Sequence, residues 1–295
     1  MKMTVAAPEV VRTIADLRSK IAEYRLRAGP AAKVGFVPTM GYLHEGHASL
    51  IRRSAAENGL TVLSVFVNPL QFGPNEDFER YPRDEKRDYA VAAEAGANLI
   101  FMPQVEEMYP RPMQTSISVR GVTERLCGAS RPGHFDGVAV VVTKLLNIVA
   151  PDRAYFGLKD AQQVAVISRM AEDLNMPVEI VPCPIVRDAD GLALSSRNVY
   201  LSAEERSQAL VLSQALKKVP EWIEDGATAP ELTGRIARLI RTKPLADIDY
   251  VEVLSYPALE PLAETLPLKQ ASERILVALA VRFGKTRLID NVLIG

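Results

Sequence analysis

The sequence predicts an α/β fold, a doubly wound parallel sheet followed by a smaller C-terminal α+β domain. Strand-like runs of β-branched and aromatic residues alternate with helix-like segments up to about residue 185, as in βαβ units. Residues 61–67 form a nearly continuous β-branched and aromatic run, which is typical of a strand buried on both faces of a parallel sheet. Beyond Val186 the order changes to helices followed by clustered strands. These observations predict domains at residues 1–185 and 186–295.

The N-terminal part of the chain opens with a predicted helix. Apolar residues recur at three- and four-residue spacing through residues 9–28, which predicts an amphipathic helix. Residues 34–37 then form the first predicted strand, and residues 48–57 form the helix that follows it. By the same patterns, further strands are expected at residues 61–67, 98–102, 153–156 and 178–181, and further helices at residues 84–95, 135–149 and 160–175. In such a sheet, ligands bind at the carboxyl ends of the strands.

The C-terminal part begins with helices. Ser202 and Glu205 have the spacing of a capping box ahead of a helix that runs to about Lys218, and residues 230–241 predict another helix. The remaining apolar runs predict strands at residues 248–254, 274–283 and 287–293. Helices and strands are thus segregated along the chain, as in an α+β domain.

Composition and charge argue against several classes of function. The 295 residues carry 35 basic and 36 acidic side chains, so wholesale binding of nucleic acid or of an acidic membrane is not expected. Cys127 and Cys183 are too few and too far apart for a disulfide framework or a CxxC metal site, which predicts free thiols in a reducing cytosol. Residues 1–9 lack the apolar core of a signal peptide, and no stretch approaches the roughly 18 apolar residues of a membrane span. We therefore expect a soluble cytoplasmic protein.

The candidate site centres on residues 38–47, PTMGYLHEGH, between the first strand and its helix. A helix N-terminus offers unpaired backbone N–H groups and the positive end of the helix dipole, which favour phosphate. His44 and His47 are two of the chain's three histidines, each ring can donate a hydrogen bond, and Gly46 allows close approach. Capping the helix is the simpler role for such a histidine, and the pair supplies too few ligands for zinc. The strand–turn–helix setting favours an anion site.

The string from Pro38 to His47 resembles the HxGH signature of the Rossmann-like nucleotidyltransferase superfamily and, within it, the pantothenate synthetases (pantoate–β-alanine ligases). Further strings match this family in order along the chain: NPLQF at residues 68–72, YPR at residues 81–83 with Asp88, RPGHFDG at residues 131–137, FGLKDAQQ at residues 156–163, DGLALSSRN at residues 190–198 and GKTRLIDN at residues 284–291. The resemblance covers essentially the whole chain. It implies a Rossmann-like sheet and a homodimer.

The resemblance implies a two-step ligase reaction of pantothenate biosynthesis. The carboxylate of pantoate attacks the α-phosphorus of ATP, which releases pyrophosphate and leaves an enzyme-bound pantoyl adenylate. The amine of β-alanine then attacks the activated carbonyl, which yields pantothenate and AMP. No covalent enzyme intermediate is needed, and the sequence contains no persuasive Ser–His–Asp or Cys–His arrangement.

Two further segments carry phosphate-binding chemistry. Lys159 lies between a glycine turn and a helix start, where a cation opposes the helix dipole unless an anion sits between them. Asp160 and Gln163 also have the spacing of a capping pair, which could be their whole purpose. The tandem Ser195-Ser196-Arg197 suits a phosphate clamp and resembles the family's counterpart of the KMSKS loop of class I aminoacyl-tRNA synthetases. Leu194 stands where the family commonly has Met, and a flexible polar loop is the alternative interpretation of this segment.

The expected catalytic residues, which align phosphates and stabilise their charge, are His44, His47, Lys159 and Arg197. The residues expected to contact ATP are Met40, Gly41, His44, Gly46, His47, Gly157, Leu158, Lys159, Asp160, Val186, Leu194, Ser195, Ser196 and Arg197. The resemblance implies that Gln71 and Gln163 bind pantoate, that β-alanine enters near Gln71, and that Asp88 holds Mg²⁺, directly or through water. It also places the segment of Arg131 and His134 over the active site, as substrate contacts or as part of a lid.

Two other functions fit parts of this pattern. A cytidylyl- or adenylyltransferase of the same superfamily would use the HxGH motif and the serine-rich clamp but stop at a nucleotide-linked product. A nucleotide-binding regulatory protein would bind ATP without turnover. Release of AMP that depends on β-alanine distinguishes the ligase from the transferase, and release of pyrophosphate excludes the regulatory protein.

Overall fold

The computed structural model describes residues 7–74 and 76–295, and these residues form two compact units. The first unit takes in the described residues up to Val119, together with Pro132–Leu158 and Val166–Pro184. The second unit comprises Arg120–Arg131, Lys159–Ala165 and Ile185–Gly295. The main boundary between the two units lies close to Ile185. Two earlier segments, Arg120–Arg131 and Lys159–Ala165, belong with the C-terminal part. The continuous domains 1–185 and 186–295 stay a prediction.

The first unit is built on a six-stranded parallel sheet with the order β1-β4-β3-β2-β5-β6. Its strands are β1 (Glu9–Val11), β2 (Val34–Thr39), β3 (Leu60–Val65), β4 (Leu99–Phe101), β5 (Arg153–Gly157) and β6 (Glu179–Cys183). From β2 the chain proceeds to β3 and β4 on one side and to β5 and β6 on the other. The order therefore reverses between β2 and β5, and such a reversal opens the crevice in which α/β sheets bind ligands.

The helices of the described chain are α1 (Ile14–Ala28), α2 (Glu45–Glu57), α3 (Glu85–Ala95), α4 (Val105–Met108), α5 (Leu126–Ser130), α6 (His134–Val149), α7 (Ala161–Asp173), α8 (Ala203–Ala209), α9 (Val211–Lys217), α10 (Val219–Glu224) and α11 (Ala229–Ile240). Helix α6 buries most of its residues and contacts α1, β2 and the 3₁₀ turn Pro69–Gln71. Helix α7 begins in the second unit and continues in the first. Helices and parallel strands thus alternate as the sequence predicts, and the predicted fold class is confirmed.

Two predicted helices have different bounds in the structure. The helix expected over residues 9–28 begins only at Ile14, because Glu9–Val11 pair with β4 as a parallel strand. Thr13 remains extended, and its side chain accepts a hydrogen bond from the Asp16 amide, which caps the helix. The helix expected from Ser202 to Lys218 is divided at Leu210, whose carbonyl accepts a hydrogen bond from the Ser213 hydroxyl. Back-bonding of this kind bends helices.

The second unit contains an antiparallel three-stranded sheet in the order β7-β8-β9. Its strands are β7 (Ala246–Tyr256), β8 (Arg274–Phe283) and β9 (Thr286–Ile294). Helix α11 contacts β7 and helix α9 contacts β9, and their apolar faces form one core with the sheet. This arrangement of helices on an antiparallel sheet confirms the predicted α+β character.

Residues 1–6, which include most of the stretch predicted to lack a targeting segment, lie outside the described residues. Among residues 7–74 and 76–295, no helix is both long enough and apolar enough to cross a membrane. Cys127 and Cys183 are buried free thiols, as the sequence predicts.

Candidate active site

The first group of candidate residues lies where the strand order reverses in the first unit. Strand β2 pairs with both β3 and β5, and all three run parallel. Residues 40–47 follow the carboxyl end of β2, Gln71 lies in the 3₁₀ turn after β3, and Gly157 ends β5. The topology therefore brings three separate predicted segments to one edge of the sheet, at the point that favours ligand binding.

The turn between β2 and α2 is held in a conformation that L-residues rarely adopt. Gly41 has a φ of 88° and Tyr42 a φ of 51°. A Cβ atom on Gly41 would lie 2.9 Å from an Asp88 carboxylate oxygen, so only glycine fits there. Arg87 of α3 donates to the Leu43 carbonyl (3.1 Å) and stacks over the Tyr42 ring. Helix α3 thus fixes the backbone that leads into the two histidines.

Asp88 takes part in the same turn. Its two carboxylate oxygens accept hydrogen bonds from the backbone amides of Tyr42 (3.0 Å) and Leu43 (2.6 Å), and the residue is 2% exposed. Burial raises the pKa of the Asp88 carboxyl, and the hydrogen bonds from the Leu43 and Tyr42 amides lower it only in part. The visible role of this carboxylate is to hold the turn.

The Asp88 carboxylate is closely surrounded by protein atoms. Each oxygen already accepts an amide hydrogen bond, and the side chain is almost completely covered. No group of three or more His, Cys, Asp and Glu side chains that could hold a metal occurs within the described ranges 7–74 and 76–295. The expected role of Asp88 toward Mg²⁺, directly or through water, therefore stays a prediction.

The two histidines of the motif cap helix α2. The Nδ1 atom of His44 accepts a hydrogen bond from the Gly46 amide (3.2 Å), and Nδ1 of His47 accepts one from the His44 amide (3.3 Å). Together they form a capping box, with the ring centroids 4.1 Å apart. Because Nδ1 accepts in both rings, each neutral imidazole carries its proton on Nε2, which is then a hydrogen-bond donor. The two histidines therefore do cap the helix, and this capping selects the tautomer in which Nε2–H can donate a hydrogen bond to an anion.

Gln71 is held by a buried network. Its Oε1 accepts a hydrogen bond from Asn68 Nδ2 (3.2 Å), and its Nε2 donates to the Met40 sulfur (3.2 Å). Asn68 is 1% exposed, donates also to the Gly137 carbonyl (3.1 Å) and accepts from the Tyr109 hydroxyl (2.8 Å). These bonds orient the Gln71 amide beside Met40 before any ligand arrives.

Gly137 allows helix α6 to pass close to this turn. A Cβ atom built on Gly137 would lie 2.2 Å from the Leu70 carbonyl oxygen and 2.7 Å from the Gln71 nitrogen. Both atoms belong to the backbone, so they cannot move aside as a flexible side chain would. Only glycine lets α6 and the 3₁₀ turn approach to this distance.

We expect Gly137→Ala to lower the free energy of unfolding by about 1–3 kcal/mol, because overpacking forces the backbone to shift. Gly234→Ala in α11 is the matched control, because a Cβ atom at Gly234 would meet no atom within 4 Å and alanine favours helix. Urea unfolding of both variants measures the difference. Equal stability of the two variants would contradict the close approach at Gly137.

The two residues of the expected lid segment belong to different units. The Nδ1 atom of His134 lies 2.8 Å from the Gln71 carbonyl oxygen, which makes the ring a support of the same turn in the first unit. Arg131 belongs to the second unit and ends α5 as its C-cap residue. A substrate contact for either residue stays a prediction.

The second unit carries the cationic candidates. Lys159 lies in the 3₁₀ turn Leu158–Asp160 just before α7, as the sequence predicts, and its ammonium lies 3.8 Å from the Asp160 carboxylate. The Asp160 carboxylate therefore offsets part of the unfavourable interaction between the Lys159 cation and the helix dipole. The dipole argument for a phosphate ligand is weaker than the sequence suggests. Gln163 lies half-buried on the first turn of α7.

The predicted clamp follows a short hairpin in the same unit. Arg187 pairs with Ala193 across the hairpin, and the Leu194 amide donates to the Val186 carbonyl (3.0 Å). Ser195 then caps a 3₁₀ turn, Ser196–Tyr200, by accepting a hydrogen bond from the Arg197 amide (3.3 Å). The segment is held locally by these hydrogen bonds, and both its role as a phosphate clamp and the alternative of a flexible loop stay predictions.

Several structural partners of these residues carry no clear signal in the sequence. Asn68 lies in one of the family strings, but its hydrogen bond from the Tyr109 hydroxyl comes from a residue 41 positions away. Gly137 is an isolated glycine in an apolar helix, a pattern that can indicate close backbone approach. Asp290 and Asn291 at the C-terminal end of the chain are also buried and hydrogen-bonded.

Known proteins match this chain over almost its whole length. The model of the family "Pantoate-beta-alanine ligase" matches residues 9–293. A pantothenate synthetase of Acetivibrio thermocellus is 56% identical over 97% of this chain and 99% of its own length, and one of Geobacillus kaustophilus is 55% identical over 97% and 92%. The solved pantothenate synthetase of Thermus thermophilus is 49% identical, with a TM-score of 0.86 over 96% of this chain and 98% of that chain. The pantoate–β-alanine ligase of Francisella tularensis, solved in complex with βγ-ATP and β-alanine, is 34% identical, with a TM-score of 0.77 over 97% and 98%.

Proposed function

The chain belongs to the pantoate–β-alanine ligase family, and from this membership we propose that it condenses pantoate with β-alanine at the expense of ATP to form pantothenate. The observation that carries the proposal is the family match over residues 9–293. The bound βγ-ATP and β-alanine of the 34% identical Francisella tularensis ligase support ATP and β-alanine as substrates.

The proposed reaction has two steps. The pantoate carboxylate attacks the α-phosphorus of ATP, the bond from that phosphorus to the bridging oxygen breaks, and pyrophosphate leaves. The uncharged amine of β-alanine then attacks the carbonyl of pantoyl adenylate, AMP leaves, and the amine loses a proton to give pantothenate. Such reactions depend on alignment of the reactants and on stabilisation of charge on the phosphate oxygens.

The residues of the HxGH segment and Gln71 would bind the reacting end of the substrates. The Nε2–H groups of His44 and His47 would donate to phosphate oxygens, and the capping box holds both rings ready for this role. Gln71 would hold pantoate through its amide, with β-alanine entering beside it. Met40, Gly41 and Gly46 would line the ATP site, and the backbone of Gly157 would face adenine.

The residues of the Lys159 and Ser195–Arg197 segments would bind the rest of ATP. Lys159 and Arg197 would neutralise the β- and γ-phosphates and the departing pyrophosphate, and Ser195 and Ser196 would donate hydrogen bonds to them. Asp160, Leu194 and the Val186 backbone would complete the ATP contacts. Gln163 would bind pantoate.

We also propose that ATP is used as its magnesium complex, as is common for ATP-dependent enzymes. When bound, Mg²⁺ would neutralise part of the triphosphate charge, and no step assigned above to a side chain depends on it. A homodimer and a cytoplasmic location are proposed on the family resemblance.

Gln71→Ala is expected to lower kcat/KM for pantoate by about 10- to 100-fold, because an unmade hydrogen bond to a substrate costs about 1–3 kcal/mol. The KM for ATP should stay within about twofold. Steady-state rates measured with each substrate varied in turn test this expectation. An equal rise in both KM values would mean that Gln71 supports the fold and does not bind pantoate.

The proposed function is tested by measuring pyrophosphate release with ATP, Mg²⁺ and pantoate, and then with β-alanine added while AMP and pantothenate are followed by mass spectrometry. A single turnover of pyrophosphate without β-alanine, followed by sustained AMP and pantothenate with it, would support both half-reactions. Pyrophosphate release that is indifferent to pantoate would indicate a related nucleotidyltransferase. ATP binding without any release would indicate the regulatory protein.

A further inference from the structure

Two adjacent polar residues of β9, Asp290 and Asn291, are buried in the second unit. They are 3% and 5% exposed, whereas Arg287, Ile289 and the residues from 292 to 294 are half-buried. Neighbouring residues of a strand point to opposite faces, so burial of both requires cover on each side. Burying polar side chains is unfavourable unless hydrogen bonds compensate, which indicates that these two have specific partners.

Asp290 holds the hairpin that leads into the clamp. Its carboxylate accepts hydrogen bonds from both terminal nitrogens of Arg187, at 2.6 and 2.9 Å, in a bidentate pair. The same guanidinium donates to the Gly191 carbonyl (3.2 Å) across the hairpin. Because Ser195 follows this hairpin directly, Asp290 fixes the base of the segment that carries Ser195-Ser196-Arg197.

Asn291 holds the other cationic segment. Its Nδ2 donates to the Lys159 carbonyl (2.9 Å), although the two residues are 132 positions apart in sequence. Its own amide donates to an Asp290 carboxylate oxygen (2.8 Å), which couples the two side chains. Neighbouring residues of β9 therefore bind both the backbone of Lys159 and the hairpin that precedes the clamp.

We infer that Asp290 and Asn291 are positioning residues that hold Lys159 and the Ser195–Arg197 clamp in register for one triphosphate. The inference rests on the proposed function, which assigns both segments to the β- and γ-phosphates. Asn291 acts through the backbone of Lys159, and Asp290 acts through the Arg187 guanidinium at the base of the hairpin that precedes the clamp. The chemical class that this device selects is a nucleoside triphosphate rather than a monophosphate, because only the triphosphate reaches both cations.

The test compares the affinities of the full-length protein for ATP and for AMP, by calorimetry with Mg²⁺ present. Asn291→Ala is expected to weaken ATP binding about tenfold, because small misplacement of a binding group has large effects, while AMP binding stays within about twofold. Asp290→Asn, which removes the charge that pairs with Arg187, should lower the ATP/AMP affinity ratio in the same direction. Equal weakening for ATP and AMP in both variants would overturn the inference.

Two controls separate positioning from general loss of stability. Ser255→Ala removes another buried polar group of the same sheet, which accepts a hydrogen bond from the Glu260 amide (3.1 Å) and is 4% exposed. It should lower the unfolding temperature without changing the ATP/AMP affinity ratio. In addition, Asn291→Ala combined with Lys159→Met should bind ATP no more weakly than Lys159→Met alone, because both changes act through one group.

The possible results distinguish the inference from the proposed function. Wild-type protein that does not bind ATP would overturn both. Wild-type protein that binds ATP, with Asn291→Ala leaving the ATP/AMP ratio unchanged or adding fully to Lys159→Met, would overturn the inference alone. A lowered ratio in a protein that makes no pantothenate would support the positioning role and contradict the proposed ligase activity.

Discussion

Replacing His47 with alanine is expected to slow formation of pantoyl adenylate by about 10²–10³-fold, the usual cost of removing one preorganised donor from a site where charge develops. The Nδ1 atom of His47 is engaged by the His44 amide, which directs the donor role to Nε2. The rate should be measured as single-turnover pyrophosphate release from ATP and pantoate, so that product release does not mask the chemical step. A loss of less than about threefold would remove His47 from the catalytic residues.

Because His47 also caps α2, the alanine variant alone does not separate stability from chemistry. Loss of a capping group costs about 0.5–2 kcal/mol. His47→Glu is the matched variant, since glutamate at the third helical position is the favoured partner in a capping box and retains an acceptor for the His44 amide. We expect His47→Glu to have a free energy of unfolding close to that of the wild type and yet to form the adenylate much more slowly. Wild-type activity in this variant would mean that His47 serves only as a helix cap.

Replacing Lys159 with methionine is expected to lower kcat/KM for ATP by about 10²-fold, because the change removes a charge-assisted contact to the β- and γ-phosphates and keeps most of the side-chain volume. The aliphatic stem is largely covered, with the side chain 20% exposed, so the methionine should pack in its place. AMP affinity should change little. Steady-state kinetics with ATP varied, together with calorimetry for AMP, measure the two effects.

Lys33→Met is the matched control for this substitution. Lys33 also pairs with an aspartate, Asp152, at 2.9 Å, but its side chain is 60% exposed and it precedes β2 at the amino end of the strand. Exposed ion pairs of this kind contribute about 0–1 kcal/mol, so activity should be unchanged. If both lysine variants lost activity to the same degree, the effect would come from net charge and not from a phosphate contact at Lys159. Lys159→Arg should retain part of the activity, because it keeps the charge with different geometry.

Hydropathy patterns predicted most elements within a few residues, because an apolar run of the right period reports burial of a local segment. The strand at residues 61–67, for example, is β3, whose residues are nearly all buried. The pattern failed at residues 9–11, where the apolar spacing suits a helix but pairing with β4 determines the conformation. It also missed the division of the predicted helix at Leu210, where the Ser213 hydroxyl donates to the Leu210 carbonyl.

The sequence motifs identified the segments of the candidate site but not the hydrogen-bond partners that hold these segments in place. The sequence places His44, His47 and Lys159 beside helix starts, and the structure agrees. It could not indicate that both imidazoles use Nδ1 as an acceptor, or that Asp160 partly compensates Lys159. The expected role of Asp88 toward Mg²⁺ came from a motif, and that motif gave no sign of the buried hydrogen bonds from the Tyr42 and Leu43 amides to its carboxylate.

The sequence by itself determined the class of fold, the order of most of its elements and the family, because periodicity and contiguous motifs are local properties of the chain. Only the tertiary structure decided which groups support the candidate site. Asp88 lies 46 residues from Tyr42, and Asn291 lies 132 residues from Lys159, yet each pair is joined by a hydrogen bond. Such partners depend on how strands and helices pack, and no local sequence pattern indicates them. An amide or carboxylate is the same residue in the sequence whether solvent or a backbone group completes its hydrogen bonds.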